Sequence, residues 1–107
     1  MVDLKGNPFY LKDEQIAWVN RTLENLTLDE KVGQLFCPVG MSTDEKALFD
    51  LAANKKVGGL LFRPGKGEEV QQAHRYLQQQ AKVPMLIAAN LEAGGTGSTI
   101  DGTRIGN

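Results

Sequence analysis

Arg63, Asn90 and Glu92 are the residues whose type and position could do chemistry. Each stands at or just past the end of an apolar run. Val57-Gly58-Gly59-Leu60-Leu61-Phe62 leads into Arg63, and Val83-Pro84-Met85-Leu86-Ile87-Ala88-Ala89 leads into Asn90, with Glu92 following in a glycine-rich stretch. Apolar runs of this length suit strands buried on both faces, which belong to parallel sheets covered by helices. Folds of that kind place their chemistry just past the carboxyl ends of the strands. There Arg63 could reach a carboxylate or hydroxyl of a ligand, or pair with an acid of a neighbouring strand. Asn90 could cap the loop that follows it. Glu92 could support the site by holding loop amides, or stand in solvent.

The other reactive residue types point away from catalysis. His74, the single histidine, falls in the middle of an amphipathic segment and reads as a surface or half-buried helix residue. Cys37, the single cysteine, lies in an apolar run and reads as an inert core thiol, because reactive thiols need an electropositive, accessible setting. No second His or Cys and no carboxylate cluster offers metal-ligand spacing, and no cofactor is expected. Gly94-Gly95-Thr96-Gly97-Ser98 lacks the Lys-Ser/Thr ending of a phosphate loop. Its glycines let backbone approach something closely, or make a mobile loop.

These residues need elements to position them. Residues 1–10 read as an irregular arm. Ile16, Val19, Leu23 and Leu26 mark one face of a helix over 12–25. Thr27-Leu28-Asp29-Glu30 is a capping box that starts a short helix over 28–34. Leu35-Phe36-Cys37-Pro38-Val39 is a strand candidate weakened by Pro38. Ser42-Thr43-Asp44-Glu45 reads as a second capping box, opening a helix that turns Leu48, Leu51 and Ala52 inward and ends near Asn54. A strand over 57–63, a helix over 68–81 burying Val70, Ala73 and Leu77, and a strand over 84–90 follow. From Glu92 onward the composition is that of a loop.

Strands alternating with helices predict an α/β fold with a parallel sheet and right-handed crossovers. Three parallel strands read as the opening of a TIM-like (β/α) barrel, which takes about 250 residues when complete. The chain divides into an arm and helix over 1–26 and the first βα units over 27–107. Three strands leave both sheet edges open. Val57, Leu60, Phe62, Met85 and Ile87 are expected to face the missing strands. The rest of a barrel, or a second copy of the chain, is the expected cover.

Composition limits the partners. The 107 residues carry 12 Lys plus Arg against 13 Asp plus Glu, a net charge of -1. That gives no electrostatic reason to bind nucleic acid or an anionic membrane. No apolar run nears the ~20 residues that span a bilayer. The first twenty residues show no secretory pattern. With one thiol, a reduced, cytoplasmic setting is expected.

Three motifs together resemble a known family. Leu26-Thr27-Leu28-Asp29-Glu30-Lys31-Val32-Gly33-Gln34-Leu35, Val57-Gly58-Gly59-Leu60-Leu61-Phe62 and Val83-Pro84-Met85-Leu86-Ile87-Ala88-Ala89-Asn90-Leu91-Glu92-Ala93-Gly94-Gly95 resemble, in order and spacing, the opening helix, second strand, and third strand with its loop of glycoside hydrolase family 3. The resemblance implies the N-terminal part of a retaining β-glycosidase, of the β-N-acetylhexosaminidase or β-glucosidase type, with a carbohydrate substrate. It places the nucleophile and the acid/base beyond these residues, so this chain alone should be inactive. It assigns Asn90 to a position that holds sugar hydroxyls, where the family has aspartate. Asparagine keeps an acceptor oxygen, adds an NH2 donor and loses the charge. Glu92-Ala93-Gly94-Gly95 has one residue more than the family's Glu-Gly-Gly, and Arg104 is at most a distant stand-in for the arginine that often follows. The alternative is a small α/β binding or assembly module without catalysis, which a natural stop at this point in the gene would favour.

Overall fold

In the computed structural model, which describes residues 2–63 and 65–105, three short parallel strands carry helices on one side. In chain order the elements are α1 (Asp13–Glu24), α2 (Leu28–Gly33), β1 (Val39–Gly40), α3 (Glu45–Phe49), β2 (Gly59–Phe62), α4 (Gly67–Gln80) and β3 (Leu86–Ala88). The strands lie in the order β1-β2-β3. Val39 pairs with Leu61 and Gly40 with Phe62; Gly59, Leu60 and Leu61 pair with Leu86, Ile87 and Ala88. Among the described residues no helix is long and apolar enough to cross a membrane.

Side chains alternate across a strand, and the alternation here separates two unlike faces. Leu60 and Phe62 point into the core, where Leu48 and Ala52, Val70, Ala73 and Leu77 of α4, and Val57 and Met85 complete the cluster, with Ile87 packed against it. Leu60 and Leu77 are wholly enclosed. Val39, Leu61, Leu86 and Ala88 have the opposite parity, and no layer covers them. Leu86 is 78% exposed and Val39 48%.

This corrects the expected open face. Val57, Leu60, Phe62 and Met85 are buried and Ile87 is partly so. They face the helices, because the connections after β1 and β2 both cross on that side. The apolar residues left in water along β1, its lead and β3 include Leu35, Phe36, Val39 and Leu86.

β1 is two residues long, not five. Even so, the carbonyls of Phe36, Pro38 and Gly40 accept from the amides of Gly59, Leu61 and Arg63, at 3.2, 3.0 and 2.9 Å. Pro38 is tolerated because it lends its carbonyl on an edge strand and only the missing N–H is lost. The helix expected from Ser42 starts instead at Asp44, whose carboxylate accepts from the Ala47 amide at 3.0 Å, while Ser42 Oγ accepts from the Asp44 amide. After Phe49 the coil widens into a π turn over Asp50–Asn54, closed by Lys55 N donating to the Asp50 carbonyl at 2.8 Å. That turn brings Leu51 and Ala52 onto the core as expected.

α2 opens on the predicted capping box. Glu30 N donates to Thr27 Oγ1 at 3.3 Å and Thr27 N to Glu30 Oε2 at 2.9 Å. The same carboxylate takes Lys82 Nζ at 2.8 Å and lies 3.6 Å from Lys56 Nζ. The Lys82 hydrogen bond first, then the Thr27 amide and the two ammonium charges, hold its pKa down at about 2. Two glycines let α2 meet the lead into β2 backbone to backbone. A methyl on Gly58 would overlap the Gln34 carbonyl, and one on Gly33 the Lys55 carbonyl.

Two outcomes follow for stability. Leu60→Ala should lose about 2–5 kcal/mol in urea unfolding, whereas Leu86→Ala should stay within about 0.5 kcal/mol. Equal losses would mean that both faces are covered. Glu30 has a folded pKa below the ordinary 4.5, so its contribution is full above that pH and disappears as pH falls towards 2. Acid titrations of melting temperature should therefore be shallower for Glu30→Gln than for the parent between those limits.

Candidate functional site

The parallel register brings two of the sequence-predicted residues level. Arg63 and Asn90 each lie two residues beyond the pair Leu61↔Ala88, at the carboxyl edge of the sheet. Alternation carried from Leu61 and Ala88 assigns both to the uncovered side. Arg63 N donates to the Gly40 carbonyl at 2.9 Å, which fixes its backbone to β1. Arg63, Asn90 and Glu92 are all exposed. Among the described residues, no ion pair or side-chain hydrogen bond engages any of the three. Arg63 thus does not pair with a neighbouring acid, and the Asn90 side chain does not cap the loop. The three side chains carry seven polar atoms between them, with Arg63 and Asn90 at the sheet edge and Glu92 in the loop that follows.

The glycine-rich loop is ordered by contacts with its own chain. Gly94 has φ +82, a left-handed conformation that favours glycine, and packs against Ile105. A methyl on Gly97 would overlap the Asn90 carbonyl, so the loop folds back directly onto the end of β3. The loop amides use carbonyls, not Glu92: Gly94 N donates to Leu91 O at 2.9 Å, Gly95 N to Thr103 O at 2.8 Å and Gly97 N to Gly94 O at 3.1 Å. Ile105 N donates to Ala93 O at 3.1 Å and closes the loop at its base. Gly94 and Arg104 are bridged antiparallel. Asp101 Oδ1, on the far side of the loop, accepts from Gly67 N at 2.8 Å. Nothing local in the sequence marks Asp101, because its partner is 34 positions away.

His74 and Cys37 sit apart from this edge chemistry. His74 is half-buried and presents an edge-to-face contact to Phe62, with centroids 4.8 Å apart and planes at 87°. Its Nε2 is enclosed without a partner, and burial pushes its pKa below the ordinary value. Cys37, expected in the core, is exposed. Its Sγ lies over Gly59, on the face of the sheet that lacks a covering layer. A cleft of about 820 Å³ lined by Val32, Phe36, Pro38, Leu51 and Val57, among others, opens at the amino end of the strands, opposite the candidate site. Among the described residues no three His, Cys, Asp or Glu side chains cluster as metal ligands would.

No family model matches the chain. Over all 107 residues it is 39% identical to a beta-N-acetylglucosaminidase/beta-glucosidase of Cellulomonas fimi, covering 19% of that protein. The resemblance read from the sequence holds. Two solved structures of beta-glucoside phosphorylase BglX are similar as well, each at 38% identity over 95% of this chain. The one bound to 2FGlc superimposes with a TM-score of 0.81, covering 19% of that chain, and the other with 0.77, covering 18%. This chain therefore spans about a fifth of each protein it matches. Its three-stranded parallel sheet and helices are the arrangement of one part of that phosphorylase.

Gly97 gives a direct check on the loop. Gly97→Ala should destabilise by about 1–3 kcal/mol and shift the amide NMR signals of Asn90 and Leu91, whereas Gly65→Ala should stay within about 0.5 kcal/mol. A methyl at Gly65 meets Val70 at an ordinary 3.4 Å.

Proposed function

We propose that this chain forms the first three βα units of a (β/α) barrel in an enzyme acting on terminal β-linked sugars, of the N-acetylglucosamine or glucose type. Arg63, Asn90 and Glu92 contribute to the subsite for that sugar, and the catalytic carboxyl groups come from elsewhere in the barrel. One observation carries this reading. The carboxyl edge of an α/β sheet presents unpaired Arg63 and Asn90 side by side, in a chain that superimposes on a beta-glucoside phosphorylase bound to 2FGlc with a TM-score of 0.81. In a closed barrel the uncovered face of the sheet becomes the interior. Leu61, Leu86 and Val39 are then buried there, and the carboxyl edge opens on the substrate.

Retaining glycosidases use two carboxyl groups about 5 Å apart, one as nucleophile and one as acid/base. The role left to this chain is binding. Asn90 offers its carbonyl oxygen to one sugar hydroxyl and its NH2 to the oxygen of another. Arg63 donates to hydroxyl oxygens, and Glu92 accepts from them. In double displacement the enzyme-bound sugar is released by a second acceptor. Water gives hydrolysis, in keeping with the Cellulomonas fimi relative, and phosphate gives a sugar phosphate, in keeping with the two phosphorylase structures.

The full-length protein should release nitrophenol from aryl β-glucosides or β-N-acetylglucosaminides, and the 107-residue chain by itself should not. Turnover by the isolated chain that survives repurification and vanishes in Glu92→Gln would overturn the assignment. Adding phosphate to the full-length protein separates the acceptors, since only phosphorolysis yields the sugar phosphate. Asn90→Ala should abolish sugar binding with stability changed by no more than about 0.5 kcal/mol. A loss of several kcal/mol would make Asn90 a structural residue.

A further inference from the structure

We infer that Asp101 is a positioning residue: it latches the loop after β3 onto the amino end of α4 and so holds Arg63, Asn90 and Glu92 as one wall of the sugar subsite. This rests on the subsite reading above and adds to it a residue that itself lies away from the sugar.

The first amides of a helix have no partners within it. At α4 the N-cap position is Lys66, whose side chain has no acceptor atom and makes no cap. Asp101 fills that role from across the chain, accepting from Gly67 N at 2.8 Å. A carboxylate is favoured at this end of a helix because the peptide dipoles leave it positive. Gly67 makes room, since a methyl there would stand 3.2 Å from Asp101 Oδ1. Two backbone contacts run beside the latch. Ile100 N donates to Gly65 O at 2.8 Å, and Gly65 and Thr99 are bridged in parallel.

The consequence is a connected frame around the candidate residues. Arg63 is tied to β1 through Gly40 on one side, and Gly65 and Gly67 are tied to Thr99, Ile100 and Asp101 on the other. The same loop presses Gly97 onto the Asn90 carbonyl and is closed at its base by Ala93 and Ile105, with Glu92 just outside that closure. All three candidate side chains are exposed, so the backbone alone fixes where they start. Displacing such a group by about 1 Å can cost about a hundredfold. Neither Asp101 nor Gly67 is a member of the buried core cluster, so breaking the latch should loosen the site more than the core.

The test uses the full-length protein with Asp101→Ala, Asp101→Asn and Gly67→Pro, and Asn90→Ala as control. Gly67→Pro removes the donor in place of the acceptor. Proline is tolerated at a first helical position, and Lys66 already has the extended conformation, φ -65 and ψ 141, that a residue before proline adopts. Asp101→Ala should speed amide exchange at Gly67 and Ile100 by about tenfold. Asp101→Ala and Gly67→Pro should each raise KM for an aryl β-glycoside by about tenfold with kcat changed much less. Asp101→Asn keeps an acceptor oxygen and should recover most of both effects. Unchanged exchange in Asp101→Ala would overturn the latch. Faster exchange with unaltered KM, while Asn90→Ala raises KM, would overturn the positioning role and leave the subsite standing. If Asn90→Ala also leaves KM unaltered, the subsite reading itself fails, and the positioning role with it.

Discussion

β2 is sheathed on one side only, and the rest of the chain is arranged around that fact. Leu60 and Phe62 project into a layer made by α3, its π turn and α4. Burying a large aliphatic or aromatic side chain contributes about 1.5–3 kcal/mol, so this single layer carries most of the apolar driving force. Both crossovers lie on that side, as connections of one hand do when the strand order β1-β2-β3 runs in one direction. The other side keeps Val39, Leu61, Leu86 and Ala88 without a cover. A sheet so exposed presents the kind of apolar patch that proteins cover.

The amino-terminal elements are fastened by charge and backbone contact more than by core packing. α1 buries none of its residues. α2 is held by the Glu30 carboxylate, which gathers the Thr27 amide, Lys82 and Lys56 from three places in the chain. Lys82 Nζ also donates to the Asn25 carbonyl at 2.8 Å. Partly covered, multiply bonded pairs of this kind resist screening better than isolated surface pairs. Gly33 and Gly58 add a contact that any side chain would prevent. The cleft beside them lies at the amino end of the strands, while Arg63 and Asn90 lie at the carboxyl end.

At that end the loop after β3 replaces mobility with self-contact. Its glycines are there because backbone meets backbone at Asn90–Gly97 and at Gly95–Gly102. The loop thus reaches a defined shape with few side-chain contacts, which leaves Asn90 and Glu92 outward and unspent.

The sequence alone determined which segments are helix and strand wherever period and capping chemistry are local. The Thr27–Glu30 box, the face of Val70, Ala73 and Leu77, and the order of the three strands were all legible, because each depends on residues a few positions apart. So was the placement of Arg63 and Asn90 past strand ends, since strand polarity is carried by the alternation of elements. Only the tertiary structure decided which face of the sheet the helices cover. An unbroken apolar run such as Leu60-Leu61-Phe62 has no polar alternate to mark a side, so the run alone suggests an open face for Val57, Leu60, Phe62 and Met85 and a core place for Cys37, the reverse of what forms. It also decided that Pro38 could stand in an edge strand by lending its carbonyl. The link from Asp101 to Gly67 was invisible for the same physical reason: a hydrogen bond across 34 positions leaves no periodic trace, and exists only once β2, α4 and β3 have placed the two loops together.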